Sequence, residues 1–291
     1  MCQSEAMNHP VIQIQKGSPQ YPERLNQISD APEYLYCRGN IALLDSECFA
    51  VVGTRMLTGY GKEAVQKLIP GLARHFTIVS GLALGIDACV HQTTLHCMGK
   101  TIAVLGSGIE NITPMTNHRL ALEILERDGL LISEHSGKKP AYKDSFPVRN
   151  RIISGLSRGV LIIEADEKSG SLVTARHALE QNRDVFAVPG NIFSPKSDGP
   201  NKLIQRGAKL VASTEDIIGD YSMLDLKTPV STENPTEASI LAILGTNGPM
   251  TTDAIIEQAR RDASEITATL SIMEIKGMVR QMAGGMFRKT D

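Results

Sequence analysis

Four short stretches of this 291-residue chain end an apolar run in small residues, and each has the makings of an anion site. They are Gly53-Thr54-Arg55, Ser80-Gly81-Leu82-Ala83-Leu84-Gly85, Gly106-Ser107-Gly108 and Ser169-Gly170-Ser171. Glycine and serine let backbone N–H groups come close to a phosphate, and a helix starting just after them adds a partial positive charge. A single loop of this kind says little, because tight strand-to-helix turns need glycine anyway. Four together make a cradle on the scale of a phosphate backbone, and Arg55 adds a guanidinium that can grip phosphate through two bonds. Residues 138–151 carry five cations (Lys138, Lys139, Lys143, Arg149 and Arg151) against one carboxylate, Asp144, with Tyr142 and Phe146 interleaved. Cations that follow a backbone beside aromatic platforms suit unpaired nucleic acid. The same composition suits a solvated basic loop with one phenylalanine turned inward, and composition alone favours neither. The apolar residues Ile152, Ile153 and Leu156 predict a helix that starts at Arg149-Asn150-Arg151 and points these donors at the binding edge.

Familiar catalytic and cofactor motifs are absent. Gly99-Lys100-Thr101 ends like a phosphate-binding Walker loop, but the earlier glycine is Thr94 and the triplet precedes an apolar run instead of following one. Gly106-x-Gly108 lacks the third small residue of a dinucleotide fingerprint, since position 111 is asparagine. Neither an ATPase nor a nicotinamide enzyme is expected, and no cofactor. His91 and His96 are five apart, not the helical i, i+4 of a metal pair, so no metal site is expected. Cys89 and Cys97 fit the buried face of the same helix. Glu164 closes an apolar run where a catalytic acid could sit, but no Ser/His/Asp arrangement follows from spacing, and no catalytic residue is assigned.

The elements that must carry these loops are short. Apolar runs at 49–53, 77–80, 101–105, 130–133, 159–163, 184–188 and 208–211 alternate with amphipathic stretches such as Ala64, Val65, Leu68, Ile69 and Leu72. Pro70 should kink that helix. Such alternation predicts an α/β fold with a doubly wound, mainly parallel sheet buried on both faces. Ligands of such sheets sit beyond the carboxyl ends of the strands. Residues 1–18 read as an N-terminal extension, 19–222 as the main domain, 223–236 as a linker rich in proline and small polar residues, and 237–291 as a winged-helix domain. In that last domain Ile240, Leu241 and Leu244 mark one helix, and Thr252 caps a second ahead of Ile255 and Ile256. Ile266, Leu270 and Met273 mark a third helix, and Gly284-Gly285 turns a hairpin. The third helix should expose Glu265, Thr267, Thr269, Ser271 and Glu274, with no lysine or arginine to read a duplex groove. Protein contacts or weak backbone binding suit it better than operator recognition.

A formal net charge of −2 makes any positive surface local, not global. Five cysteines without a C-x-x-C spacing argue for reduced thiols in a cytoplasmic protein. No basic start followed by an apolar run opens the chain, and no run is long enough to span a membrane. Tryptophan is absent, so base stacking would fall to Phe, Tyr, His or Arg.

The ordered series of blocks resembles the DNA-processing protein A (DprA/Smf) family. It comprises Val52-Gly53-Thr54-Arg55, Ser80-Gly81-Leu82-Ala83-x-Gly85-Ile86-Asp87 and Gly99-Lys100-Thr101-Ile102-Ala103-Val104-Leu105-Gly106. It continues through Ser133-Glu134, Phe146-Pro147-x-Arg149-Asn150-Arg151-Ile152-Ile153 and Ser169-Gly170-Ser171-Leu172-x-Thr174-Ala175. It closes with Phe186-Ala187-Val188-Pro189-Gly190 and Gly199-x-Asn201-x-Leu203-Ile204-x-x-Gly207-Ala208. The likeness covers residues 19–218, with a weaker match in the winged-helix tail. It implies an extended Rossmann-like domain, a homodimer, binding of single-stranded DNA, and loading of the RecA recombinase during natural transformation. It implies that Arg55 holds phosphate, that Lys143 contacts DNA, that Phe146 meets a base, and that Gly170 and Ser171 line the pocket. Gly53, Thr54, Ser80, Gly81, Gly85, Ser169, Arg149, Arg151 and Asn201 complete the expected single-strand site. Two departures stand out. Twenty residues precede the Tyr21-Pro22 block, so the N-terminal helical domain of many members is not expected, and Thr113-Pro114 stands where Tyr-Pro is usual.

The family implies a binder, not an enzyme. A competing reading is a related Rossmann-like hydrolase of nucleoside monophosphates, but that group needs Pro-Gly-Gly-x-Gly-Thr, which Pro189-Gly190-Asn191 does not supply. A ligand-sensing duplex regulator is disfavoured by the cation-poor third helix.

Overall fold

The computed structural model describes residues 9–222, 235–259, 261–275, 278–282 and 285–289, and they fall into two compact units that divide after Ile218. Of the expected linker 223–236, residues 223–234 lie outside the described residues, as do Cys2 and Gly284, and Pro235 and Thr236 open a helix instead.

The first unit is built on a nine-stranded sheet in the order β1-β2-β6-β5-β4-β3-β7-β8-β9. Seven strands are the apolar runs read from the sequence: β3 (Cys48–Val52), β4 (Thr77–Ser80), β5 (Thr101–Leu105), β6 (Leu130–Ser133), β7 (Gly159–Ile162), β8 (Asp184–Ala187) and β9 (Lys209–Leu210). They are parallel to one another, so the expected doubly wound α/β arrangement holds. Two further strands were not expected. β1 (Ile12–Gln15) and β2 (Tyr34–Gly39) add an antiparallel pair at one edge, with Cys37 opposite Ile132 of β6. Their mixed composition (Ile-Gln-Ile-Gln, Tyr-Leu-Tyr-Cys-Arg) carries the alternation of an edge strand, not a continuous apolar run.

Helices cover both faces. Ala50, Val52, Val104, Ile132, Val160 and Ile162 pack on one side with α5 (Ser145–Leu156) and α6 (Ser171–Glu180). Ala103, Leu105 and Leu131 pack on the other with α3 (Ile86–His96) and α4 (His118–Glu126). Neighbouring residues of each strand thus turn to opposite faces, as period-two geometry requires. α2 (Gly59–Leu72) buries Ala64, Val65, Leu68, Ile69 and Leu72, and the helix continues through Pro70 to its end. Thr58 caps it, its hydroxyl accepting from the Gly61 N–H at 3.2 Å.

Helix α5 corrects the sequence reading. It begins at Ser145, four residues before Arg149, because Pro147 sits in the first turn, where the missing N–H costs nothing. Phe146 therefore stands at the helix entrance, and Arg149 to Arg151 lie one turn inside it.

The second unit has its own core of Ile240, Leu244, Ile255, Ile266, Leu270, Met273, Val279 and Phe287. The helices are Pro235–Asn247, Thr252–Ala259 and Ala263–Ile275, and Val279–Met282 pairs with Met286–Lys289 as the wing. A two-residue strand, Met250–Thr251, joins that wing as well. Thr269 is buried, not exposed as expected, because it falls on the stripe set by Ile266, Leu270 and Met273. Its place on the exposed face is taken by Ala268 and Ile272. Among the described residues no helix is long and apolar enough to cross a membrane.

Candidate nucleic-acid interface

The chain winds from β3 outward to β4 and β5 on one side, and from β7 outward to β8 and β9 on the other. The strand order therefore switches between β3 and β7, the place where such sheets open a crevice. A cleft of about 590 Å³ lies there. The loops that form it are tied together by the backbone. Thr54 N donates to the Glu164 carbonyl at 2.7 Å, and Ile86 N donates to the Thr54 carbonyl at 3.1 Å. Gly85 makes the second tie possible: its φ is +79°, and a Cβ there would lie 2.4 Å from the Thr54 carbonyl oxygen.

Gly53, Thr54, Arg55, Lys143, Phe146, Arg149, Ser169, Gly170 and Ser171 all line this cleft. The loops after β3 and β7 supply one wall each, and the start of α5 supplies a third. Arg55 reaches out from the end of β3 and lays its guanidinium over the Phe146 ring, 4.8 Å from the centroid. The ring also lies against Gly106, where an added Cβ would stand 3.2 Å from Cδ1. Lys143 is exposed on the rim. Ser169 and Ser171 share a hydrogen bond between their hydroxyls at 2.8 Å, at the N-terminus of α6. Gly170 between them has open space where a side chain would stand.

Arg149 is a different kind of cation. It is only 5% exposed. Its Nη1 donates to the Gly81 carbonyl at 2.6 Å and to the Val104 carbonyl, and Nε donates to Asn150 Oδ1 at 3.1 Å. Burial is the main cause that lowers its pKa, to about 10, and Asp87 opposes it while Arg55 adds to it. Burial likewise raises the Asp87 carboxyl, against the pull of Arg149. The pair forms the floor of the cleft and knits the ends of β4 and β5 to α5.

Other expected residues stand outside the cleft lining. Ser80 is buried and donates to the Val51 carbonyl at 2.7 Å. Gly81 packs against the Arg149 guanidinium. Gly85 serves the loop geometry described above. Arg151 turns away, pairing with both Glu134 oxygens at 2.6 and 3.0 Å and with the Asp30 carbonyl at 3.0 Å. A half-turn inside the helix separates its side chain from that of Arg149, which is why the expected pair of donors is not on one edge. Asn201 clamps Gly190, accepting from its N–H at 3.1 Å and donating to its carbonyl at 3.0 Å.

The cleft also holds residues that sequence reasoning missed. Asp87, Asn150, Asp166 and Lys196 line it, and Lys196 pairs with Asp166 at 2.8 Å. Asn150 counts with its two arginine neighbours as an expected donor on this helix, but not as an expected site residue. Lys196 comes thirty residues after Asp166 with no local motif, and only the sheet topology brings it in.

Glu164 is 2% exposed. The Thr58 hydroxyl donates to one of its oxygens at 2.5 Å and the Thr58 N–H to the other at 3.2 Å. The carboxylate thus sits at the N-terminus of α2, where it complements the helix dipole. His91 is buried, with Nδ1 2.7 Å from the Thr101 hydroxyl, which itself donates to the Ile78 carbonyl. That hydroxyl has one proton, so His91 donates from Nδ1. Among the described residues no group of His, Cys, Asp and Glu is placed to hold a metal ion.

Two family models match the chain: DNA recombination-mediator protein A over residues 13–222, and the DprA winged helix domain over residues 225–285. DNA processing protein DprA of Streptococcus pneumoniae is 46% identical over 201 residues, 69% of this chain and 71% of that protein. Protein Smf of Escherichia coli is 40% identical over 299 residues, 99% of this chain and 79% of that protein. Among solved structures, the S. pneumoniae protein superposes with a TM-score of 0.69 at 44% identity, covering 74% of this chain and 75% of that one. DNA processing protein A from Helicobacter pylori, described for its single-stranded DNA binding mode, gives 0.66 at 32% identity, covering 74% of this chain and 97% of that one.

Proposed function

The chain belongs to the DNA recombination-mediator protein A family, and from that premise we propose that it binds single-stranded DNA in the switch-point cleft, protects incoming strands, and loads RecA on them during natural transformation. The observation that carries this reading is the Arg55 guanidinium over the Phe146 ring in a cleft that Lys143 also lines. Phosphates would rest against the amides of Gly53 and of Ser169 to Ser171, at the N-terminus of α6. Arg55 and Lys143 would neutralise them, and a base would meet Phe146. A duplex hides its base faces, so the same cleft favours the unpaired strand. We place this work in the cytoplasm, carried out by a homodimer.

No catalytic group is assigned. Glu164, the acid that a nucleotide hydrolase would use, has both oxygens engaged by Thr58. Release of free base from nucleoside monophosphates, lost in Glu164→Gln, would support that other reading.

The test is an anisotropy titration of oligo-dT and of blunt duplex at two salt concentrations. Oligo-dT is expected to bind tighter, with affinity falling steeply as salt rises. Arg55→Ala and Lys143→Ala should each weaken binding and flatten the salt slope by roughly one counterion. Wild-type affinity in both variants, or a preference for duplex, sinks the assignment. For RecA, the expected result is a shorter lag in RecA ATP hydrolysis on a strand already covered by a single-strand-binding protein.

A further inference from the structure

Tyr142 is not among the residues lining the cleft, and the residue is 63% exposed. Tyr60, also exposed, spends its hydroxyl on the Pro189 carbonyl at 2.5 Å, so the fold accounts for it. The Tyr142 hydroxyl makes no such bond among the described residues. A large ring left in water contributes little to folding. The backbone beneath it, by contrast, is fixed. Tyr142 N donates to Ser145 Oγ at 3.1 Å, and the Tyr142 carbonyl accepts from Ser145 N at 3.0 Å. This reciprocal pair closes a turn whose first and fourth Cα atoms lie within about 7 Å of each other. Lys143 follows Tyr142 inside the turn, and Phe146 opens α5 just beyond it. Two aromatic side chains therefore flank one cation in sequence on a short, braced segment.

We propose that the Tyr142 ring is a second base platform, which carries the strand one nucleotide past Phe146 with the intervening phosphate at Lys143. The inference rests on the single-strand reading given above. Stacking is indifferent to sequence and needs no charge. Tyr142 should thus add affinity without adding to the salt dependence.

Tryptophan is absent from the chain, so Tyr142→Trp carries a single indole whose emission reports on its own surroundings. Saturating oligo-dT is expected to quench that emission, and blunt duplex is not. Tyr142→Ala should bind oligo-dT between about 5- and 150-fold more weakly, with the salt slope of the unaltered chain, and Tyr142→Phe should bind normally. Unquenched indole at saturation, or full affinity in Tyr142→Ala, overturns the second platform and leaves single-strand binding standing. A loss accompanied by a flattened slope also counts against it, since that marks a displaced Lys143. If the unaltered chain fails to bind oligo-dT, the reading of the whole cleft falls and this one with it.

Discussion

Three arginines of the expected single-strand site have three separate jobs. Arg55 is exposed and free to meet a ligand, Arg149 is locked under the cleft floor, and Arg151 braces Glu134 and the Asp30 carbonyl. Residue type alone could not separate them, because an arginine on a helix reads the same whether it faces solvent or a row of carbonyls. Arg149→Met should therefore lower stability by about 2–5 kcal/mol, since it leaves the Gly81 and Val104 carbonyls without their donor and removes the charge that offsets buried Asp87. Arg55→Ala should change stability by no more than about 0.5 kcal/mol. Thermal melts of the two variants test the contrast. Phe146→Ala should cost roughly 1–3 kcal/mol of oligo-dT affinity through lost stacking. His91 gives a pH signature. Burial, with help from the Arg149 charge, holds its pKa at about 3, against 6.5 for the free side chain. The folded state thus binds fewer protons, and stability present above pH 6.5 is lost as pH falls toward 3. The loss is about 1.4 kcal/mol per pH unit over that window. Melts of His91→Gln should approach those of the wild type between pH 7 and pH 5. A constant gap would contradict the burial argument.

At the level of strands and helices, β3 to β7 were legible because a strand buried on both faces must be largely apolar, whereas β8 opens on exposed Asp184 and β9 is exposed throughout. β1 and β2 were not legible, because an edge pair can alternate with polar residues. The entrance of α5 was misplaced for a local reason: the apolar stripe that marks the helix starts only at Ile152, while its first turn holds Phe146 and Pro147, which a first turn accepts. The glycine loops were legible as loops, but their uses were not. Ser169 to Ser171 line the cleft, while Gly85 fastens two loops to each other. Gly85→Ala should separate these roles. A Cβ would force the Thr54 carbonyl away, so both the melting temperature and oligo-dT affinity should drop, whereas Gly170→Ala, with open space around it, should leave the melting temperature unchanged.

For the molecule as a whole, the two units have separate cores, and the cleft draws its lining from the first unit alone. A chain ending at residue 222 should therefore keep its melting transition and its oligo-dT affinity. Strongly weakened binding by that chain would give the winged helix a direct part in holding the strand. The third helix of the tail presents Glu265, Ala268, Ile272 and Glu274 and no lysine or arginine, in line with its composition. Long-range placement was the least legible layer. Lys196 and Asp166 meet only because β7 and β8 are neighbours, and Glu164 caps a helix that begins more than a hundred residues earlier.

The guanidinium resting on Phe146 has a kinetic corollary. With Gly106 against the ring and Arg55 over it, the surface proposed to receive a nucleobase is already covered. Admission is then a substitution, in which a phosphate lures the arginine aside and the vacated surface receives its guest. A free nucleoside, bringing no such lure, should find the door closed, whereas the shortest phosphodiester carries its own key.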